Sequence, residues 1–290
     1  MAVGPKERGF LGWGPSTGFH RVAYTEWGSP ESGPVVVCAH GLTRTGRDFD
    51  ALARALADRF RVACPDFPGR GRSAWLDGPA GYTYDTYLAD MAALIARLEG
   101  EEVLWVGTSM GGLVGMLLAA QPRTPIRALV LNDVGPFVPG AALERIRAYV
   151  GKAPTFGSLA EAEGYLRQVH APFGPLTDAQ WRRLAEHSVR PLEDGRWALH
   201  YDPAIGEALR AAPAGDVDLW PVWERVGCPV LVLRGERSDV LLPDTARAMA
   251  TRGPRAQVLE IPGVGHAPAL LDDEQVARIR RWLTEALEAD

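Results

Sequence analysis

Short apolar runs recur along the chain, most of them too uniform to be half-exposed strands. RVAYTEWG (21–28), PVVVCAH (34–40), FRVACPDF (60–67), EVLWVG (102–107), IRALVLND (126–133), CPVLVLRG (228–235) and AQVLEIPG (256–263) are the strand candidates. Several lack polar alternation, the pattern of parallel strands buried on both faces. Between them, DFDALARALADR (48–59), YDTYLADMAALIARLEG (84–100) and LPDTARAMATR (242–252) carry helical spacing, and 272–290 reads as a closing amphipathic helix. This alternation predicts a mostly parallel, doubly wound α/β sheet. The rhythm breaks over residues 137–220, where AALERIRAYVG, SLAEAEGYLRQVHAP and TDAQWRRLAEHSV are helical and no strand is convincing. The predicted organisation is a core of 1–136 and 221–290 interrupted by a helical lid over 137–220.

Composition narrows the class. Of 290 residues, 47% are hydrophobic and 23% charged, and the formal net charge is −5. These are values of an ordinary globular protein, and they point away from nucleic acid and anionic membranes as partners. MAVGPKERGFLGWGPSTGFH carries charges and glycines where a signal peptide needs an apolar core. No stretch approaches the roughly 20 apolar residues of a membrane span. Cys38, Cys64 and Cys228 are scattered in or beside strand candidates, without metal-ligand spacing, and read as buried thiols of a cytoplasmic protein. Neither a metal nor a cofactor is expected, and a homo-oligomer is left open.

The chemistry starts at GTSMGGLVG (107–115), between the run EVLWV and a helix-like segment. A dinucleotide fingerprint needs glycine where Ser109 stands, and a P-loop needs a Gly-Lys pair that is missing. Gly107, Ser109 and Gly111 fit G-x-S-x-G instead. A residue held on a sharp strand-to-helix bend needs near-absent side chains two positions before and after it. Such a turn exposes the serine hydroxyl and sets the Met110 N–H at a helix start, where it can meet an oxyanion. A tight glycine turn with an incidental serine is the plainer alternative.

A serine needs a base. His266, in IPGVGHAP after the last strand candidate, is favoured over His20, His40, His170, His187 and His200. The base in turn needs a carboxylate. Asp239 in LRGERSDVLLP is the expected acid; Asp133 in VLNDVGP is its rival, otherwise a pocket or structural residue. HGLTRTG (40–46) ends a strand candidate, and there Gly41 lets the backbone come close and Leu42 offers a second oxyanion N–H. His40 itself reads as structural.

HGLTRTG, DFPGRGRS (66–73), GTSMGG, LRGERSDVLLP and PGVGHAP, in that order, resemble the α/β-hydrolase superfamily over nearly the whole chain. The resemblance implies a catalytic triad of Ser109, Asp239 and His266, an oxyanion hole of Leu42 and Met110, and a cap that shapes the substrate pocket. Ser109 stands where epoxide hydrolases and haloalkane dehalogenases carry Asp, so the similarity is to the esterase, enol-lactonase and meta-cleavage-product hydrolase branch. It implies a serine hydrolase acting on a small or medium carboxylic ester, a lactone or a polyester oligomer. A C–C bond hydrolase with the same triad is the alternative, and a silent binding protein on this fold is the less favoured one.

Arg44, Arg47, Arg70 and Arg72 lie on strand-end loops. They either receive a substrate carboxylate or brace the loops by pairing with Asp48 and Asp66. Arg44, Phe137, Trp197, His200 and Tyr201 are candidates for the pocket. Cap aromatics, Trp181, Trp220 and Trp223 included, serve either an acyl pocket or the cap core.

Overall fold

A computed structural model of the chain describes residues 4–30 and 33–288. The first three residues of the N-terminal reading and the last two of the closing helix lie outside the described residues. The chain begins with the antiparallel pair β1 (Lys6–Gly14) and β2 (Gly18–Trp27). β3 (Val35–Ala39), α1 (Asp50–Leu56), β4 (Arg61–Pro65), α2 (Tyr84–Arg97), β5 (Val103–Thr108), α3 (Met110–Ala119) and β6 (Ile126–Asn132) follow. An insertion then runs through β7 (Phe137–Val138), α4 (Gly140–Arg147), β8 (Thr155–Phe156), α5 (Leu159–Val169), α6 (Asp178–Ser188), β9 (Val189–Pro191), β10 (Trp197–Leu199), α7 (Ala204–Ala211) and β11 (Val217–Asp218). After α8 (Trp220–Trp223) the chain returns to β12 (Val230–Gly235), α9 (Pro243–Met249), β13 (Gln257–Ile261) and α10 (Asp273–Glu288).

Eight strands form one sheet in the order β1-β2-β4-β3-β5-β6-β12-β13. β1, β2 and β4 pair antiparallel and the remaining neighbours pair parallel. The uniform apolar runs are explained by where their side chains go. Val35, Val37, Val103, Trp105, Leu129 and Leu131 face a core shared with α2 and α3. Their alternates Val36, Cys38, Leu104, Val106, Ala128 and Val130 face a second core closed by α1 and α10. A strand covered on both sides has no polar face to display.

β1 departs from the sequence expectation, which placed no strand there. Within KERGFLGWG only Gly12 and Gly14 are buried, because α2 lies against that face and a Cβ on Gly12 would run into Asp90. The opposite face leaves Leu11 67% and Phe19 of β2 76% exposed. With glycines at 12 and 14 beside Phe10 on its core side, and Leu11 and Trp13 exposed on the other, the segment hides its period.

The insertion also departs from expectation, since it holds five short strands as well as helices. β8, β10 and β9 form a small sheet of their own, and β7 pairs with β11 at the insertion's base. Strands of two or three residues carry too little periodicity to read. The insertion has small cores of its own around Trp181, Leu166 and Leu184, and around Phe156 and Val189.

Candidate active site

The bend between β5 and α3 is as tight as the glycine pattern requires. Ser109 has φ 52° and ψ −118°, a conformation that costs a non-glycine residue about 1–3 kcal/mol. A Cβ on Gly107 would strike the backbone of Gly111, and one on Gly111 would strike the Ala39 carbonyl of β3. The Trp105 indole, fully buried in β5, donates to the Gly111 carbonyl at 2.9 Å and fixes the start of α3. The Ser109 N–H is held by the Asn132 carbonyl of β6 at 3.0 Å. The hydroxyl thereby stands at the C-terminal ends of the parallel strands, over the insertion's cleft.

His266 follows β13 on a loop anchored to both halves of the molecule. Gly265 N–H donates to the Pro172 carbonyl of the insertion at 2.7 Å, and Arg237 N–H to the Val264 carbonyl at 2.8 Å. The imidazole Nε2 lies 2.9 Å from Ser109 Oγ. Its Nδ1 lies 2.8 Å from an Asp133 carboxylate oxygen. An ionised carboxylate only accepts, so the proton sits on Nδ1 and Nε2 is free to accept from the serine.

The carboxylate that meets His266 is that of Asp133, at the end of β6, and not that of Asp239, which was expected there. Asp133 is fully buried and takes a left-handed φ of 57°. Its carboxylate accepts from Gly235 N–H at 2.7 Å and Ser238 Oγ–H at 2.6 Å besides the imidazole. Both come from the segment LRGERSDVLLP, so that loop does reach the site, through its glycine and serine. Ser238 takes the inward position, and the next side chain, Asp239, turns outward to form a bidentate pair with Arg145 of α4. That pair is about half exposed, 45% and 48%. Ser238, adjacent to Asp239 in the same motif, is a site residue that the sequence pattern does not single out.

The two expected oxyanion donors lie on loops that meet at Ser109. Met110 is the first residue of α3. Leu42 follows Gly41, where an added Cβ would sit 3.7 Å from the Ser109 Cβ. Arg70 ties both loops together. It is fully buried, donating to the Leu42 carbonyl at 2.8 Å, the Pro68 carbonyl at 2.6 Å and Tyr87 Oη at 2.8 Å, with Met110 Sδ at 3.7 Å. His40 is structural: its Nδ1–H donates to the Gly41 carbonyl and its Nε2 accepts from Phe67 N–H. Burial pushes its pKa down to about 3, so the ring stays neutral.

The arginine loops are braced, though not by the expected partners alone. Arg44 pairs with Asp48 and Arg47 with Asp50. Arg70 binds carbonyls, and Arg72 pairs with Glu7. Asp66 accepts from the backbone N–H groups of Gly46 and Arg72.

The cleft over Ser109 and His266 is walled by Arg44, Arg145, Tyr149, Phe173 and Leu184, among others. Arg44 is thus in the wall, whereas Phe137, Trp197 and His200 are not. Phe137 sits in the β7–β11 clasp, Trp197 packs with Phe156 and Val189, and the His200 carbonyl accepts from Gly71 N–H. Tyr201 lines an inner chamber shared with Arg44, Tyr149 and His170, its hydroxyl accepting from Gly151 N–H at 3.3 Å. Trp181 and Trp223 are buried in cores, and Trp220 lies under the Arg252 guanidinium. Tyr149, His170 and Phe173 escaped the sequence reading because only the packed insertion shows which helix faces look down. Among the described residues, no group of three or more His, Cys, Asp or Glu is arranged to hold a metal. No helix among them is long and apolar enough to cross a membrane.

Comparison with known proteins meets this geometry from outside. The chain is 47% identical to a 3-hydroxybutyrate-oligomer hydrolase of Cupriavidus necator, over 99% of this chain and all of the relative. It is 29% identical to a 2-(acetamidomethylene)succinate hydrolase of Mesorhizobium japonicum, over 81% of this chain and 82% of that one. The crystal structure of an alpha/beta hydrolase from Novosphingobium aromaticivorans superposes with a TM-score of 0.87 at 39% identity, covering 98% of this chain and 99% of that one. Residues 36–279 match the sequence profile of the alpha/beta hydrolase family. With the strand order, the elbow at Ser109 and these relatives in agreement, the chain belongs to the alpha/beta hydrolase family.

Proposed function

We propose that the protein is a serine hydrolase of carboxylic esters, working through an acyl-enzyme on Ser109. The observation that carries this reading is the unbroken series of hydrogen bonds from Ser109 Oγ through His266 to Asp133. Ser109 Oγ attacks the acyl carbon while His266 Nε2 takes its proton, and buried Asp133 stabilises the imidazolium that forms. The tetrahedral oxyanion rests on the Leu42 and Met110 N–H groups, each worth about 10²–10³ in rate. Collapse breaks the acyl carbon–oxygen bond, and His266 returns the proton to the departing alcohol. Water, deprotonated by the same ring, then releases the acid and regenerates Ser109. The insertion acts as the cap that shapes the substrate pocket.

The relative from Cupriavidus necator suggests the substrate class: short oligoesters of hydroxy acids, with an ester at each joint. Ser109→Ala is expected to abolish hydrolysis of p-nitrophenyl butyrate and of a 3-hydroxybutyrate dimer, and to abolish labelling by a fluorophosphonate. Near wild-type turnover in that variant would sink the assignment.

A further inference from the structure

The cationic side chains of the cleft do not balance, and the surplus falls in one place. Arg44, Arg47, Arg145 and Arg183 line the cleft together with Ser109, and its acidic lining residues are Asp48 and Asp50. Arg44 is cancelled by Asp48 and uses all three guanidinium nitrogens on Asp48, His170 and Ser188. Arg145 is cancelled by Asp239 from outside the cleft. Arg47 and Arg183, by contrast, share the single buried carboxylate of Asp50. Their neighbour His187 does not change the balance, because burial and the Arg47 charge push its pKa down to about 4. Among the residues that line it, this end of the cleft therefore carries one more positive than negative charge, with the buried Asp66 carboxylate acting on Arg47 from behind the lining.

It also holds unused donors. Arg47 binds Asp50 through Nε and Nη2. Arg183 binds it through Nη2 alone. Arg47 Nη1 and Arg183 Nε and Nη1 have no hydrogen-bond partner among the described residues. Their guanidinium planes belong to two different elements, the turn before α1 and helix α6 of the insertion. Asp50 holds them side by side. Planar cationic donors with unused N–H groups in a partly enclosed cleft suit a carboxylate.

We propose that Arg47 and Arg183 form a subsite for the free carboxylate end of the substrate. This rests on the ester-hydrolase reading above and deepens it. An oligoester of hydroxy acids carries one carboxylate, at its acid terminus, and anchoring that group selects which ester bond lies over Ser109. Cleavage is thereby counted from the acid end, and a chain whose acid end is capped loses its anchor. Arg44 and Arg145, whose charges are already matched, are walls of the cleft and not part of this subsite.

The test compares the 3-hydroxybutyrate dimer as free acid with the same dimer as its methyl ester, with p-nitrophenyl butyrate as a neutral reference. In the wild type, kcat/KM for the free acid is expected to exceed that for the methyl ester by about tenfold or more, the value of hydrogen bonds to a charged group. In Arg183→Gln the ratio is expected to fall to about one, through a rise in KM for the free acid. Wild-type kcat/KM values within about twofold of each other, or a ratio that survives in Arg183→Gln, would overturn the subsite while p-nitrophenyl butyrate hydrolysis left the ester-hydrolase reading standing. Failure of the wild type on all three substrates would remove that reading and the subsite with it. A wild-type ratio near one overturns the subsite whether or not this variant folds, and if it does not fold, Arg47→Gln reads the same loss of ratio from the other donor.

Discussion

Two strand ends in this molecule each present an aspartate, and the fold treats them in opposite ways. After β6, Asp133 is buried, held in a left-handed turn and given hydrogen bonds by Gly235, Ser238 and His266. After β12, Asp239 is half exposed and pairs with the Arg145 guanidinium. The contrast shows that chemical role is assigned by surroundings. A buried carboxylate with three donors holds its charge against the imidazole in one orientation. A surface pair is screened by water and contributes about 0–1 kcal/mol.

The sharpest way to break this contrast is at Asp133. Asp133→Asn keeps the shape but removes the charge and disturbs the His266 tautomer, so kcat on p-nitrophenyl butyrate should fall about 10⁴-fold. A loss of less than tenfold would return the acid's role to another residue. Ser238→Ala probes the loop that serves both aspartates. Removing its hydrogen bond to the Asp133 carboxylate should lower kcat/KM by about tenfold to a hundredfold, and an unchanged value would mean that Gly235 alone orients the acid. The smallest effect is expected at Asp239→Asn. Activity should stay within about fivefold of wild type, the loss of one exposed pair, with the thermal unfolding midpoint measured alongside. A collapse comparable to that of Asp133→Asn would reverse the assignment.

What was legible in the sequence follows the same division. Runs such as VVVCA, VLWVGT and IRALVLN announce buried parallel strands because both their faces are covered. GTSMGG announces the elbow because its glycines are demanded by contacts within a few residues and one neighbouring strand. His266 was found because its loop follows a recognisable strand and carries glycines on both sides of Val264. The choice between Asp133 and Asp239 was beyond local pattern, since each follows a strand and the decision lies in which side chain of another loop turns inward. The edge strand β1 escapes the pattern because Gly12 and Gly14 stand at core-facing positions while Leu11 and Trp13 are exposed. The cleft wall was read only in part, because Tyr149, His170 and Phe173 are placed by packing among insertion helices and not by their spacing.

The clasp at the base of the insertion has a consequence for how the chain can fold and vary. Val138 pairs with Val217, and Leu219 N–H reaches the Pro136 carbonyl at 2.6 Å, so the excursion leaves and re-enters the core at one doorway. The seam between β6 and β12 must bring together residues as distant as Leu129 and Val230. The entropy of closing that loop rises only with the logarithm of its length. Apart from the Pro172 segment that holds the His266 loop, helices inside the doorway can be lengthened, shortened or exchanged while the strands that precede Ser109, Asp133 and His266 keep their register. The substrate that this scaffold accepts is therefore free to change faster than the chemistry it performs.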